Sequence, residues 1–199
     1  VKEKYPTVLE VWGLSGSSPA QDRHRGFMEV LNSRIKVKEI FGKWKPETVE
    51  KEIAEMDSLE EVDVVFAHND VMAMAARRAI ERMHPGLADR ICFVGIDAVS
   101  GRGSGLEAVM HGELAASVLY PTGGSLAIRV AMQILNGEDV SRQYLLSSAL
   151  IDKNNAGTLF IQSEQVVDYQ HQIELQRENL ESMLSKYTFL QNSVGIILL

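Results

Sequence analysis

Short apolar runs alternate along this chain with stretches in which apolar residues recur every three or four positions. The runs lie near 7–12 (TVLEVW), 36–41 (KVKEIF), 62–67 (VDVVFA), 91–96 (ICFVGI), 115–119 (AASVL) and 145–150 (LLSSAL). Their length and content predict strands. The helix-patterned stretches lie near 19–33, 46–57, 70–84, 104–112, 122–136 and 164–192. This alternation predicts βαβ units, hence an α/β fold with a doubly wound, mostly parallel sheet flanked by helices. Runs as continuous as VVFA and ICFVGI suit strands covered on both faces. Glycine and proline stand at the joints: Gly13, Gly16 and Pro19 before the first helix, Pro46 before the second, His84, Pro85 and Gly86 after the third. Gly137 closes the helix at 122–136 as a C-terminal glycine does.

The last stretch has a different pattern. Positions 173, 176, 180, 183, 187, 190 and 194 hold Ile, Gln, Leu, Met, Tyr, Leu and Val in a Gln- and Glu-rich surround. This 3-4 spacing makes a narrow apolar stripe, the pattern of a coiled-coil seam. Three segments follow: an α/β lobe at 1–155, a connector at 156–163 and a long C-terminal helix at 164–199. The chain starts at Val1 without a Met and ends in the apolar run SVGIILL. Both ends read as cut points in a longer protein. The final run is too short to span a bilayer, which needs about 20 apolar residues, and is expected to lead into a segment that does.

Composition narrows the function. The chain has 199 residues, is 45% hydrophobic and carries a net charge of −7. Its acidity and lack of a basic run argue against direct nucleic-acid binding. The single cysteine, Cys92, stands in an apolar run and is expected to be a buried structural thiol. GLSGSSP lacks the lysine of a phosphate-binding P-loop. There is no G-x-S-x-G elbow, and the histidines show neither HExxH nor zinc-site spacing. Catalytic residues, a metal and a cofactor are therefore not expected.

Ligands of doubly wound sheets bind beyond the carboxyl ends of the strands. At those ends stand Arg23 in QDRHRGF, Trp44, Asn69, Asp97 and Tyr120. Asn both donates and accepts, Asp accepts hydroxyls strongly, and Arg donates in a fixed fork. An indole can cover the C–H face of a ring. The set suits a polyhydroxylated ligand. Asn69 and Asp70 are also good helix N-caps, but capping needs only one of them. His68 is expected to be structural.

GLSGSSPAQDRHRGFMEVL, VDVVFAHNDVMAMAARRAI and ICFVGIDAVSGRGSGLEAVMHGELAASVLY resemble the carboxyl-terminal lobe of type I periplasmic sugar-binding proteins, nearest to the ribose-binding branch. The likeness runs over about residues 6–155. It implies that Asn69, Asp97 and Arg23 bind the sugar. Trp44 falls near a stacking aromatic. Tyr120 falls where the ribose branch has a Gln, which alters the hydrogen-bonding pattern offered to the ligand. The resemblance further implies a missing amino-terminal lobe, against which the helix near 122–136 would pack. With the C-terminal helix it gives the expectation of an extracytoplasmic sensor domain of an inner-membrane receptor, a two-component histidine kinase, working as a homodimer through that helix. The alternatives are the effector domain of a lac-repressor-type regulator and a soluble periplasmic binding protein for transport.

Overall fold

The computed structural model describes residues 5–197, with side chains up to 189. It divides into two units, 1–157 and 158–199. In the first, β1 (Thr7–Trp12), α1 (Ser18–Val30), β2 (Lys36–Phe41), α2 (Pro46–Ala54), β3 (Val64–Ala67), α3 (Asp70–Met83), β4 (Cys92–Asp97), α4 (Gly105–Met110), β5 (Ala116–Leu119), α5 (Gly124–Leu135) and β6 (Leu150–Asp152) follow in order. One six-stranded sheet has the order β2-β1-β3-β4-β5-β6. All neighbours are parallel except β6, which runs antiparallel to β5. Strand order therefore reverses at β1, whose carboxyl end lies beside that of β3.

The two faces of the sheet differ. Leu9, Val11, Val65, Ala67 and Phe93 point to one face and are almost wholly buried. There α3 contributes Met72, Ala73, Ala76 and Ile80, and α2 contributes Val49 and Ile53, all at 0% exposure. Burial of such side chains contributes about 1.5–3 kcal/mol each for the large aliphatic ones. The opposite face carries α1 over β1 and β3: Phe27 stacks on Phe66 with ring centroids 4.8 Å apart, and His24 bonds to Glu10. Beyond it, Val94, Ile96 and Val118 are only half-buried. The expected cover on both faces is thus incomplete over β4 and β5. This corrects the expectation for Cys92, which is exposed. It is the first residue of β4 and shares the partly covered face with Val94 and Ile96. Burial of its surroundings still pushes the thiol pKa up.

The strand expected at 145–150 is displaced. Leu145 is 90% exposed, and pairing begins at Leu150, opposite Val118. Helix α5 forms where expected, but none of its residues is buried. Ile128, Met132, Ile134 and Leu135 all face solvent.

The last helix, α6 (Ala156–Ile197), is continuous and begins eight residues before 164. At 1.5 Å per residue it is about 63 Å long. Within the second unit, Ile173, Leu180, Met183 and Tyr187 of the expected stripe are exposed. The side chains at 190 and 194 lie outside the described residues. Among those residues no helix is long and apolar enough to cross a membrane.

Candidate functional site

The carboxyl ends of β1 to β5 lie along one rim, where Arg23 meets Asp97, Trp44 and Tyr120 and where Asn69 follows β3. Arg23 reaches across from α1. Its Nη1 donates to the His68 carbonyl at 2.6 Å, and its Nη2 donates to Asp97 Oδ1 at 3.3 Å. The guanidinium also lies over two rings, 5.3 Å from the Trp44 centroid and 5.1 Å from that of Tyr120. A cation between two aromatic faces is held without consuming all of its donors. The Arg23 and Asp97 side chains are 14% and 29% exposed, so both can still meet a ligand. Burial pushes the Asp97 pKa up, and the Arg23 charge and hydrogen bond oppose that shift.

Asn69 lies beside this pair at the end of β3. Its Oδ1 accepts from the Met72 N–H at 2.9 Å, so it is the N-cap of α3. Its amide group is left to donate. Asp70 therefore does not cap the helix: it is the first helical residue and is turned inward, 2% exposed. Trp44 adopts a positive φ of 65°, and its ring lies against the backbone of Gly13, where any Cβ would collide with it. Five non-glycine residues among those described have positive φ, and Lys43, Trp44, Asp97 and Ala98 of these are at the rim. Backbone strain of this kind collects at functional sites.

Underneath, a polar network fixes the floor. Glu10 is wholly buried in β1. It accepts from His68 Nε2 at 2.9 Å and from His24 Nδ1 at 2.9 Å. The Gly13 N–H donates to His68 Nδ1, which leaves Nε2 to donate to Glu10. His68 is structural, as expected. Glu10 was the missed member; a carboxylate inside TVLEVW was the signal, because a charge in a buried strand must have a partner. Glu10, His24 and Glu39 could offer ligand atoms to a metal. However, both Glu10 oxygens hold histidines, and Glu39 Oε1 accepts from Trp12 Nε1–H at 2.8 Å.

An open groove of about 540 Å³ adjoins the rim, lined by Ser18, Asp22, Arg23, Val118, Tyr120 and Leu146 among others. Only Arg23 and Tyr120 belong to both. Through Arg23 the groove adjoins Asp97 and Trp44, whose chemistry suits a sugar better than the groove's more apolar walls do.

Comparison with known proteins gives the class of molecule that this fold and rim define. Residues 1–139 match the periplasmic binding protein domain, and the chain belongs to that family, whose members bind ligands rather than catalyse. The architecture is one lobe of the type I fold. The ribose import binding protein of Salmonella typhimurium is 32% identical over 153 residues, covering 73% of this chain and 49% of that protein. The chain thus spans about half the length of the curated relatives it matches. Among solved structures, the fructose-binding periplasmic domain of a hybrid two-component system superposes with a TM-score of 0.79 at 32% identity, over 85% of this chain and 57% of the other. A Mycobacterium smegmatis protein in complex with β-D-fucofuranose gives 0.72 at 25% identity, over 84% and 56%.

Proposed function

We propose that this chain is the sugar-binding lobe of an extracytoplasmic sensor domain. One observation carries the reading: Arg23 bonds Asp97 and lies over the Trp44 and Tyr120 rings, at the rim where Asn69 ends β3. Arg23 and the Asn69 amide donate to sugar oxygens, Asp97 accepts from hydroxyls, and Trp44 and Tyr120 cover C–H faces. The relatives at 25% identity or more include proteins named for ribose or fructose and one complexed with a fucofuranose, which supports a monosaccharide. The rim is one wall of a site. A second lobe supplies the other and covers the apolar face of α5.

Two features favour a sensor over a transport protein. The lobe runs on into the long helix α6, and one close structural neighbour is the periplasmic domain of a two-component system. In this reading α6 pairs with its copy in a homodimer and leads to the inner membrane. Closure on a sugar stabilises one of two helix arrangements, as coupling requires. The second reading, a binding protein for import, is favoured by the ribose import relatives.

The test is a ¹H–¹⁵N NMR titration of the chain with a panel of monosaccharides including D-fructose and D-ribose. Saturable shifts at Asn69, Asp97, Ala98 and the Arg23 side chain are expected for one or two sugars, and are lost in Asp97→Ala. A rim unmoved by every sugar at high millimolar concentration overturns the proposal.

A further inference from the structure

Asp70 is built into the rim more elaborately than a helix start requires. An acid in the first turn of a helix gains from the dipole while remaining in water. This one is buried against β4, β5 and α4. Its Oδ2 accepts from the Ala98 N–H at 2.7 Å, and its Oδ1 accepts from the Ser117 hydroxyl at 2.6 Å. The Ser117 Oγ accepts in turn from the same Ala98 N–H at 3.1 Å. A Cβ on Gly95 or Gly105 would overlap the carboxylate, so both glycines make room for it.

The turn that it grips is the one that presents Asp97. Asp97 and Ala98 have φ of 115° and 46°, conformations that non-glycine residues adopt only when the surroundings impose them. The Asp97 carbonyl also accepts from the Tyr120 N–H at 3.2 Å. We propose that Asp70 is a positioning residue: it holds the Asp97–Ala98 turn in its left-handed form and so sets the Asp97 carboxylate against Arg23. The consequence for affinity rests on the sugar-binding reading above, whereas the turn geometry does not. The charged groups facing Asp70 are Asp97, which opposes its ionisation, and Arg23, which favours it.

The experiment is NMR on the whole chain with Asp70→Asn, Asp70→Ala, Ala98→Gly and the double variant Asp70→Ala/Ala98→Gly. In the parent chain the Ala98 amide is expected to be protected from exchange. Its shift and that of Ser117 should titrate together with the Asp70 carboxyl carbon, and the titration should vanish in Asp70→Asn. In Asp70→Ala the Ala98 amide exchanges roughly tenfold faster or more, as loss of a buried hydrogen bond implies. Its ¹³Cβ shift also moves toward ordinary backbone values. Affinity for D-fructose or D-ribose, whichever the parent chain binds more tightly, falls by about the same factor.

Glycine takes the left-handed form without strain, so adding Ala98→Gly restores part of that affinity. A purely structural role for Asp70 would give no such rescue. An unprotected Ala98 amide in the parent chain overturns the proposal. So does protection unchanged in both Asp70 variants, or an affinity loss that glycine does not repair. If the parent chain binds no sugar, the functional reading fails, while exchange and ¹³C shifts still decide whether Asp70 holds the turn.

Discussion

Asp70 also leaves a signature in stability. Desolvation raises its pKa to about 6 from an ordinary 3.8, against the opposing hydrogen bonds from Ser117 and Ala98. The folded state therefore keeps a proton that the unfolded chain releases between those values. Stability falls as pH rises through that window, and the cost is fully present above about pH 6. A shift of about two units is worth on the order of 3 kcal/mol. Urea unfolding near pH 4 and near pH 8 should show the parent chain losing stability relative to Asp70→Asn, with the gap opening between about 4 and 6. A gap independent of pH means that the carboxyl titrates at its ordinary value. Strand ends in such a sheet share one edge, which is why residues as far apart in sequence as Arg23, Trp44, Asp97 and Tyr120 meet around one guanidinium. The inward turn of Asp70 was not legible in the sequence, because burial against Gly95 and Gly105 depends on contacts far apart in sequence. Cys92 failed for the opposite reason: its apolar neighbours predict a buried strand, but one face of β4 is only partly covered.

Among the elements, β1 to β5 lie within two residues of where the apolar runs put them, since branched residues and breakers agreed locally. β6 did not, because only the last residue of LLSSAL, Leu150, has a strand partner. Its partner is chosen by the register of Ser117 with Ile151, and Ile151 is the buried residue of that strand. Helix α5 shows how far local pattern alone can carry an element. It has helical periodicity, yet none of its residues is buried. A helix of twelve residues is marginal in water without a packed face. Hydrogen exchange should therefore separate two helices of similar length. Amides of α5 should exchange orders of magnitude faster than those of α3, which buries Met72, Ala76 and Ile80. Equal protection would mean that α5 has found a partner surface, in this chain or in a second copy.

For the whole molecule, two exposed apolar surfaces are candidates for the proposed homodimer contact. One is the α6 stripe of Ile173, Leu180, Met183 and Tyr187, each 58–67% exposed. The other is the α5 face with Ile128, Met132 and Leu135, each 54–80% exposed. The stripe repeats at heptad spacing with Gln176 as its polar position, and a seam of that kind pairs two helices in register. The α5 face is shorter and lacks a repeat, so it suits a folded lobe better than its own copy. Sedimentation equilibrium should find the chain dimeric, and Leu180→Lys, which puts a charge into the seam, should shift it to monomer. Ile128→Lys should leave the dimer intact, and the sugar-induced shifts at the rim should survive Leu180→Lys. The reverse pattern, in which Ile128→Lys dissociates the dimer and Leu180→Lys does not, would move the interface to α5. The helix-coupled sensor would then lose its main support in favour of the import reading. A parent chain that stays monomeric at high concentration would remove self-association from the mechanism.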